Sequence, residues 1–359
     1  MQNPDSSITL IFNLDEIDYD FLRVGGKFDS DYKATLFINS TFRNLFLKGS
    51  RLALDFRLGD LSHIKAAYTI HSALHTARTE QWINAPWLLA VFPDVTLSTE
   101  FSHYNYYTYA GNIKSALFDI SNTKLKLIST NNFSNSVSIS SDLSLDYSAT
   151  VAKFLPYNLN NSYSHLYASL GTTTLIDTRD SYIVPSHGLY AFFRAEAIQD
   201  VSSGKHNAND IIRLIGKWSI SVPLMRNKLV VSPNIMIGYN FNPVSVPNYG
   251  LYIGGNNIHL INEGSFPFPG IEYFERSDQA TFVQNIQLQF QMFQNHYFIA
   301  QGNMGSAQES IYNLLVHRPF YGICLSYCYN SIVGPLIVSI HSSEIHPVPG
   351  FFLSFGYRL

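Results

Sequence analysis

The stretch TFVQNIQLQFQMFQ, residues 281–294, decides how the rest of the chain is read. Its even positions carry Phe282, Ile286, Leu288, Phe290 and Met292, while its odd positions carry Asn285, Gln287, Gln289 and Gln291. Side chains alternate between the two sides of a β-strand, so this segment has one apolar face and one polar, uncharged face. Residues 51–59 repeat the pattern, with Leu52, Leu54, Phe56 and Leu58 opposite Asp55 and Arg57. Residues 137–148 set Val137, Ile139, Leu143, Leu145 and Tyr147 against Ser138, Ser140, Asp142, Ser144 and Asp146. Residues 211–224 do the same, with Trp218, Ile220 and Val222 opposite Arg213, Lys217 and Ser219.

Sixteen such segments follow one another, near residues 20–30, 34–45, 51–59, 62–72, 91–108, 113–129, 136–152, 163–177, 188–199, 210–224, 228–241, 280–293, 296–306, 320–330, 334–344 and 350–359. Helical periodicity is nearly absent. The 359 residues leave about 22 per strand and connection, enough for a stave of roughly ten residues and a turn. An even number of alternating strands suits a closed antiparallel barrel. Connections after the tenth and twelfth segments are short, and those after the ninth (residues 200–210) and eleventh (residues 242–279) are long, the asymmetry of outer-membrane barrels. The expected fold is therefore all-β, a sixteen-stranded antiparallel transmembrane β-barrel of the outer membrane.

Composition agrees. Only 14 % of residues are charged, against roughly 25 % in soluble domains, and the polar faces are built from Ser, Asn, Thr, Gln and Tyr. A soluble β-sandwich, the competing reading, would carry more charge on its exposed faces, whereas these faces suit a crowded hydrated lumen. A net charge of −3 leaves no basic footprint for a nucleic-acid partner. Residues 1–19 are too few for a domain and read as the stump of a periplasmic connection, with the barrel over residues 20–359.

No catalytic motif is legible. The sequence lacks G-x-S-x-G, the Walker pattern, G-x-G-x-x-G, H-E-x-x-H and C-x-x-C, so neither an enzyme nor a cofactor is expected in this chain. Cys324 and Cys328, four apart on a strand, lie roughly 13 Å from each other and are out of disulfide reach. His71 with His75 and His341 with His346 read as lumen or loop residues rather than metal ligands, and Asp55 with Arg57 as lumenal charges.

Four regions resemble the bacterial surface antigen superfamily, the sixteen-stranded barrels that include Bam-type insertases, two-partner secretion transporters and the barrels of patatin-like phospholipases. YGICLSYCYNSIVGPLIVSIHSSE (residues 321–344), with the turn Ser331-Ile332-Val333-Gly334-Pro335-Leu336, is similar to that family's closing strands. Asp177, Thr178, Arg179 and Asp180, followed by Pro185 and Gly188, resemble its mid-barrel periplasmic turn. Phe42-Arg43-Asn44-Leu45-Phe46 with Gly49 and Arg51 resembles its second turn. GFFLSFGYRL (residues 350–359) resembles the terminal assembly signal, with Phe351, Leu353, Phe355, Tyr357 and Leu359 on one face. Leu359 stands where the family usually ends in Phe.

The resemblance also implies a lumenal lock, in which an Arg-Gly pair of the long eleventh connection reaches an acid of the thirteenth strand. Here the matching stretch is Ile253-Gly254-Gly255-Asn256, and the thirteenth segment offers Gln301 and Asn303 as partners in place of the acid. Loss of both charges together is coherent, because one alone would lack its counter-ion. The glycine version, followed by NEGSFPFPGIEYFE, is similar to the barrels of patatin-like phospholipases.

By resemblance the chain is expected in the bacterial outer membrane, assisting insertion or translocation of polypeptide, with outer-membrane lipid, polypeptide cargo and upstream or separate periplasmic domains as partners. A lateral seam is expected between the first and last strands, loosened by Gly25, Gly26 and Gly350. The rival expectations are the anchor and translocator barrel of a patatin-like phospholipase whose catalytic domain lies outside this chain, and a passive porin.

Overall fold

The computed structural model describes residues 20–30, 33–71, 93–154, 162–202, 210–225, 228–242, 247–256 and 263–356. Each of the sixteen alternating segments is a strand. They are β1 (Phe21–Asp29), β2 (Lys33–Arg43), β3 (Ser50–Gly59), β4 (Ser62–Ile70), β5 (Asp94–Ala110), β6 (Ile113–Ser134), β7 (Val137–Phe154), β8 (Tyr163–Asp177), β9 (Gly188–Asp200), β10 (Ile211–Leu224) and β11 (Leu229–Asn240). After the long connection come β15 (Ala280–Phe293), β16 (His296–Gln308), β17 (Phe320–Ser331), β18 (Gly334–Ser343) and β19 (Gly350–Gly356). Within the connection lie three short strands, β12 (Tyr252–Ile253), β13 (Ser265–Phe266) and β14 (Arg276–Ser277). Among the described residues a single short α-helix, α1 (Ile311–Val316), sits between β16 and β17.

Every barrel strand pairs antiparallel with its sequence neighbour, β11 pairs with β15 across the connection, and β1 pairs with β19 to close the wall. Closure joins the two ends of the sheet, the condition for a sheet to cross lipid. The alternation fixes what each face meets. Leu97, Leu125, Leu127, Leu143, Leu145, Leu170, Ile286, Leu288, Phe290 and Leu325 all lie on the exposed outer wall. Their inward neighbours Ser98, Ser144, Asp146, Ser169, Asn285 and Gln289 are buried in the lumen. An apolar belt this continuous is incompatible with water and matches a hydrocarbon layer.

The largest departure from the expected boundaries is in β6, which runs on to Ser134. It grows because residues 130–134 find partners down to Ser134↔Val137 on β7, so hydrogen bonding carries the strand past its apolar belt. The alternation of short and long connections holds in the second half only. Asp60–Leu61 and Gly111–Asn112 turn tightly at the end that later carries the long loops, and the 71–93 connection lies at the other end.

Among the described residues the seam is the shortest pairing in the wall. There β1 meets β19 through Lys27↔Gly356, Phe28↔Phe355 and Asp29↔Ser354, with Ser30 N–H donating to Leu353 O at 3.0 Å, whereas β1 meets β2 over nine register pairs and β18 meets β19 over six. Gly25 and Gly26 pair with Phe37 and Leu36 of β2 on one edge, and their other edge faces the end of the last strand, beyond the described residues. The glycine that shapes the seam is Gly356, whose φ is 107° and where a Cβ would overlap the Gly26 carbonyl oxygen. Phe351 and Phe355 are exposed on the lipid side, as the terminal pattern predicts, with Leu353 sharing their strand face. Tyr357 and Leu359 lie outside the described residues, as do residues 1–19 and His75.

Candidate functional site: a lumen filled by its own loop

The connection between β11 and β15 folds back into the barrel. Its short strands form a sheet in the order β13-β12-β14, and a 3-10 turn at Pro247–Tyr249 precedes them. Ile253, Gly254, Gly255 and Asn256 occupy the turn out of β12. Gly254 has φ 138° and Gly255 φ 76°; a Cβ at the first would strike the Glu272 carbonyl and at the second the Tyr273 ring. Gly255 N–H donates to Ile271 O at 2.7 Å, and its carbonyl accepts from Phe268 N–H at 3.0 Å. Only glycine fits two successive positions of this kind. The residue standing where the resemblance implies an arginine is thus a packing hinge.

Three apolar clusters hold the loop to the wall. Leu251, Ile253, Phe266, Phe268 and Ile271 pack on Ile215 of β10, Met236 of β11 and Val283 of β15. Val283 is an apolar residue on the polar face of β15, and it is fully buried beneath the loop. Tyr252 and Phe274 pack on Leu61, Tyr104 and Ile120, and Tyr249 packs on Tyr167, Ile198 and Ile211. Each such buried side chain contributes about 1.5–3 kcal/mol, so the plug is held chiefly by apolar burial.

A polar cluster lies beside the apolar ones on β7, β9 and β10. Arg194 of β9 clasps Asp142 of β7 through two nitrogens at 2.6 and 3.0 Å and reaches Glu196 at 2.9 Å. Its Nε lies 2.8 Å from Glu263 of the loop, an ion pair off the hydrogen-bond direction. Glu196 also accepts from Arg213 of β10 at 2.5 Å. The loop here supplies the acid and the wall the guanidinium, the reverse of the pair that the resemblance implies. Beside it, Asn248 accepts from Tyr104 Oη–H at 2.7 Å and Asn122 Nδ2 at 2.9 Å, and donates to Ser148 Oγ at 2.9 Å. Tyr249 donates to Asp146 at 2.7 Å.

Gln301 and Asn303 of β16 face the lumen, where Gln301 Nε2 donates to Asn303 Oδ1 at 2.5 Å. Gln301 shares a cavity of about 220 Å³ with Asn256 and Arg179. The Asp177 turn is a staple. Asp177 takes two hydrogen bonds from the Arg179 guanidinium, at 2.9 and 2.7 Å, and that guanidinium covers the Tyr190 ring. Asp180 accepts from Ser186 N–H at 2.8 Å and His187 N–H at 3.2 Å; partial burial opposes its ionisation, but these donors outweigh it and hold the carboxyl below the usual range. Gly188 (φ 112°) brings β9 against Thr178, where a Cβ would not fit, and Pro185 lies in the turn between them.

The loop also grips the last hairpin. His346 Nε2 meets buried Glu275 at 2.8 Å, and Ser343 Oγ donates to Gly270 O at 2.6 Å. Gly350 packs its backbone against the His341 ring at the start of β19. Cys324 and Cys328 are buried on the lumenal side, and His71 pairs with Asp94 at 3.1 Å. The sequence pattern singles out neither Arg194 nor Glu263 nor Glu275, and gives His346 only as a lumen or loop residue. The one available signal was the Arg194-Ala195-Glu196 charge pair on a strand of a charge-poor chain.

A closed sixteen-stranded wall, apolar outside and plugged inside by one of its own loops, defines a transmembrane β-barrel. The chain belongs to the OMP85 superfamily, whose profile matches residues 8–359. No curated protein sequence matches it. Among solved structures it is similar to BamA from Haemophilus ducreyi lacking POTRA domains 1–3, at 14 % identity and TM-score 0.67, covering 95 % of this chain and 70 % of that one. It is also similar to CdiB from Acinetobacter baumannii, at 14 % identity and TM-score 0.55, covering 94 % of this chain and 59 % of that one. CdiB from Escherichia coli aligns at 9 % identity and TM-score 0.52, over 95 % of this chain and 68 % of that chain.

Proposed function

We propose that this barrel resides in the bacterial outer membrane and assists polypeptides into or across it, opening laterally between β1 and β19. The turns at residues 44–49, 178–187 and 294–295 then face the periplasm and the 242–279 loop enters from outside. The observation that carries this reading is the seam of three register pairs, among the described residues, in a wall otherwise joined by six or more. Unpaired backbone groups in lipid are costly, so a short seam offers an incoming strand edge both room and a template. The reaction is mechanical and involves no bond chemistry in this chain. Periplasmic domains, upstream or separate, would deliver the cargo.

The test is a covalent clamp. Phe28 and Phe355 oppose each other across the seam on the lipid side, at a spacing suited to a disulfide once both are cysteine. In proteoliposomes, the Phe28→Cys/Phe355→Cys protein should fail to accelerate folding of a urea-denatured outer-membrane barrel when oxidised and recover when reduced. Full activity of the oxidised form rejects the seam. A second reading, the anchor and translocator of a patatin-like phospholipase, is favoured by Gly254-Gly255. A serine elbow encoded upstream of Met1 in the same open reading frame would select it, and repeated small periplasmic modules would select the first.

A further inference from the structure

We propose that the centre of the lumen binds a compact oxyanion of the phosphate class. A cavity of about 380 Å³ lies between the loop, at Asn248, Tyr249 and Glu263, and the walls of β3–β7, β9 and β10. Among the described residues, its lining holds seven of the chain's 23 lysine and arginine side chains against four carboxylates. The carboxylates are already engaged. Glu100 pairs with Lys65 at 3.0 Å, Glu196 with Arg213 and Arg194, Glu263 with Arg194, and Asp146 takes the Tyr249 hydroxyl with Lys124 4.0 Å away.

Two of the lysines stand apart from these pairs. Lys126 of β6 and Lys217 of β10 have no carboxylate within 4.0 Å among the described residues. Lys217 instead donates to the Ser265 carbonyl at 3.3 Å and lies over the Phe192 and Phe266 rings, which leaves further ammonium donors for a ligand. Ammonium groups walled in by protein are weakly screened by salt and repel one another, so a surplus of them is a standing cost that an anion offsets. Ser102 and Asn122 add neutral hydrogen-bonding groups to the same lining. The volume suits a phosphate, a pyrophosphate or one phosphorylated headgroup. An extended acidic peptide would need a continuous channel, and the loop lies across it. The carboxylate of Glu263 shares the cavity, so it competes with any bound anion for Arg194.

The experiment titrates pyrophosphate into the full chain in detergent micelles at fixed ionic strength, read by calorimetry. Saturable one-to-one binding is expected, with Lys126→Met and Lys217→Met each weakening it about tenfold, the loss of one charge-assisted hydrogen bond. Glu263→Gln should tighten it, a direction opposite to that of general damage. Without ligand, Lys126→Met should melt no lower than the parent protein, since it removes an uncompensated cation. Absence of saturable binding, or unchanged affinity in both lysine variants, overturns the proposal. Nanodiscs separate the sources of the phosphate. If a lipid headgroup fills the cavity, nanodiscs containing diphosphoryl lipid A abolish the pyrophosphate response, and if a free anion fills it, they leave it as in zwitterionic nanodiscs. The clamped seam should bind pyrophosphate unchanged, so this test fails or succeeds independently of the cargo reading.

Discussion

At the scale of single residues, Arg194 carries more consequence than any position the sequence made prominent. It holds Asp142, Glu196 and Glu263 together in a buried cluster, and Arg194→Met leaves three carboxylates facing one another. Breaking a buried pair this way costs about 3–5 kcal/mol, which should appear as a lower urea midpoint of the micelle-bound barrel. Glu263→Gln should cost much less, because its side chain is 42 % exposed and solvent screens the pair. An equal loss in the two variants would contradict the assignment. Gly356→Ala should lower the temperature at which the folded band disappears from unboiled gels, since its φ and its contact with Gly26 both exclude a side chain. The sequence offers Gly25, Gly26 and Gly350 as seam glycines and does not single out Gly356, whose contact with Gly26 depends on strand register across 330 residues of chain, which no local pattern encodes.

At the scale of elements, alternation was enough to place all sixteen strands, because each is half in lipid and half in a polar lumen and its neighbours are fixed by chain order. Placing arginine at Leu143, on the outer face of β7, should cost about 2–4 kcal/mol of folding into vesicles if that position is near the bilayer midplane. Arginine at lumenal Ser140 on the same strand should cost far less; equal costs would contradict the orientation of the strand. The long loop was legible as a loop and its glycines as turns, but its anchorage was not. Phe266 and Phe268 pack on β10, β11, β15 and β17 residues remote in sequence, and Val283 looks like a flaw in the alternation until the loop covers it. Phe266→Ala with Phe268→Ala should loosen the plug, raising single-channel conductance in planar bilayers above that of the parent barrel. No change in conductance would place the barrier elsewhere.

At the scale of the whole molecule, the loop ties three parts of the wall together. It rests on β10, β11 and β15 through apolar side chains, on β9 through Glu263, and on the β18–β19 hairpin through Glu275 and Gly270. The last of these contacts sits beside the seam, so lumen and seam are mechanically joined. All of it depends on lipid covering the apolar exterior of a closed wall. The direct measurement is spin-label accessibility at residues 142–147 of β7, one cysteine at a time in proteoliposomes. Labels at Leu143, Leu145 and Tyr147 should be open to oxygen and closed to a water-soluble nickel complex, with labels at Asp142, Ser144 and Asp146 closed to oxygen. Uniform nickel accessibility, or loss of the period of two, would contradict a membrane-embedded barrel.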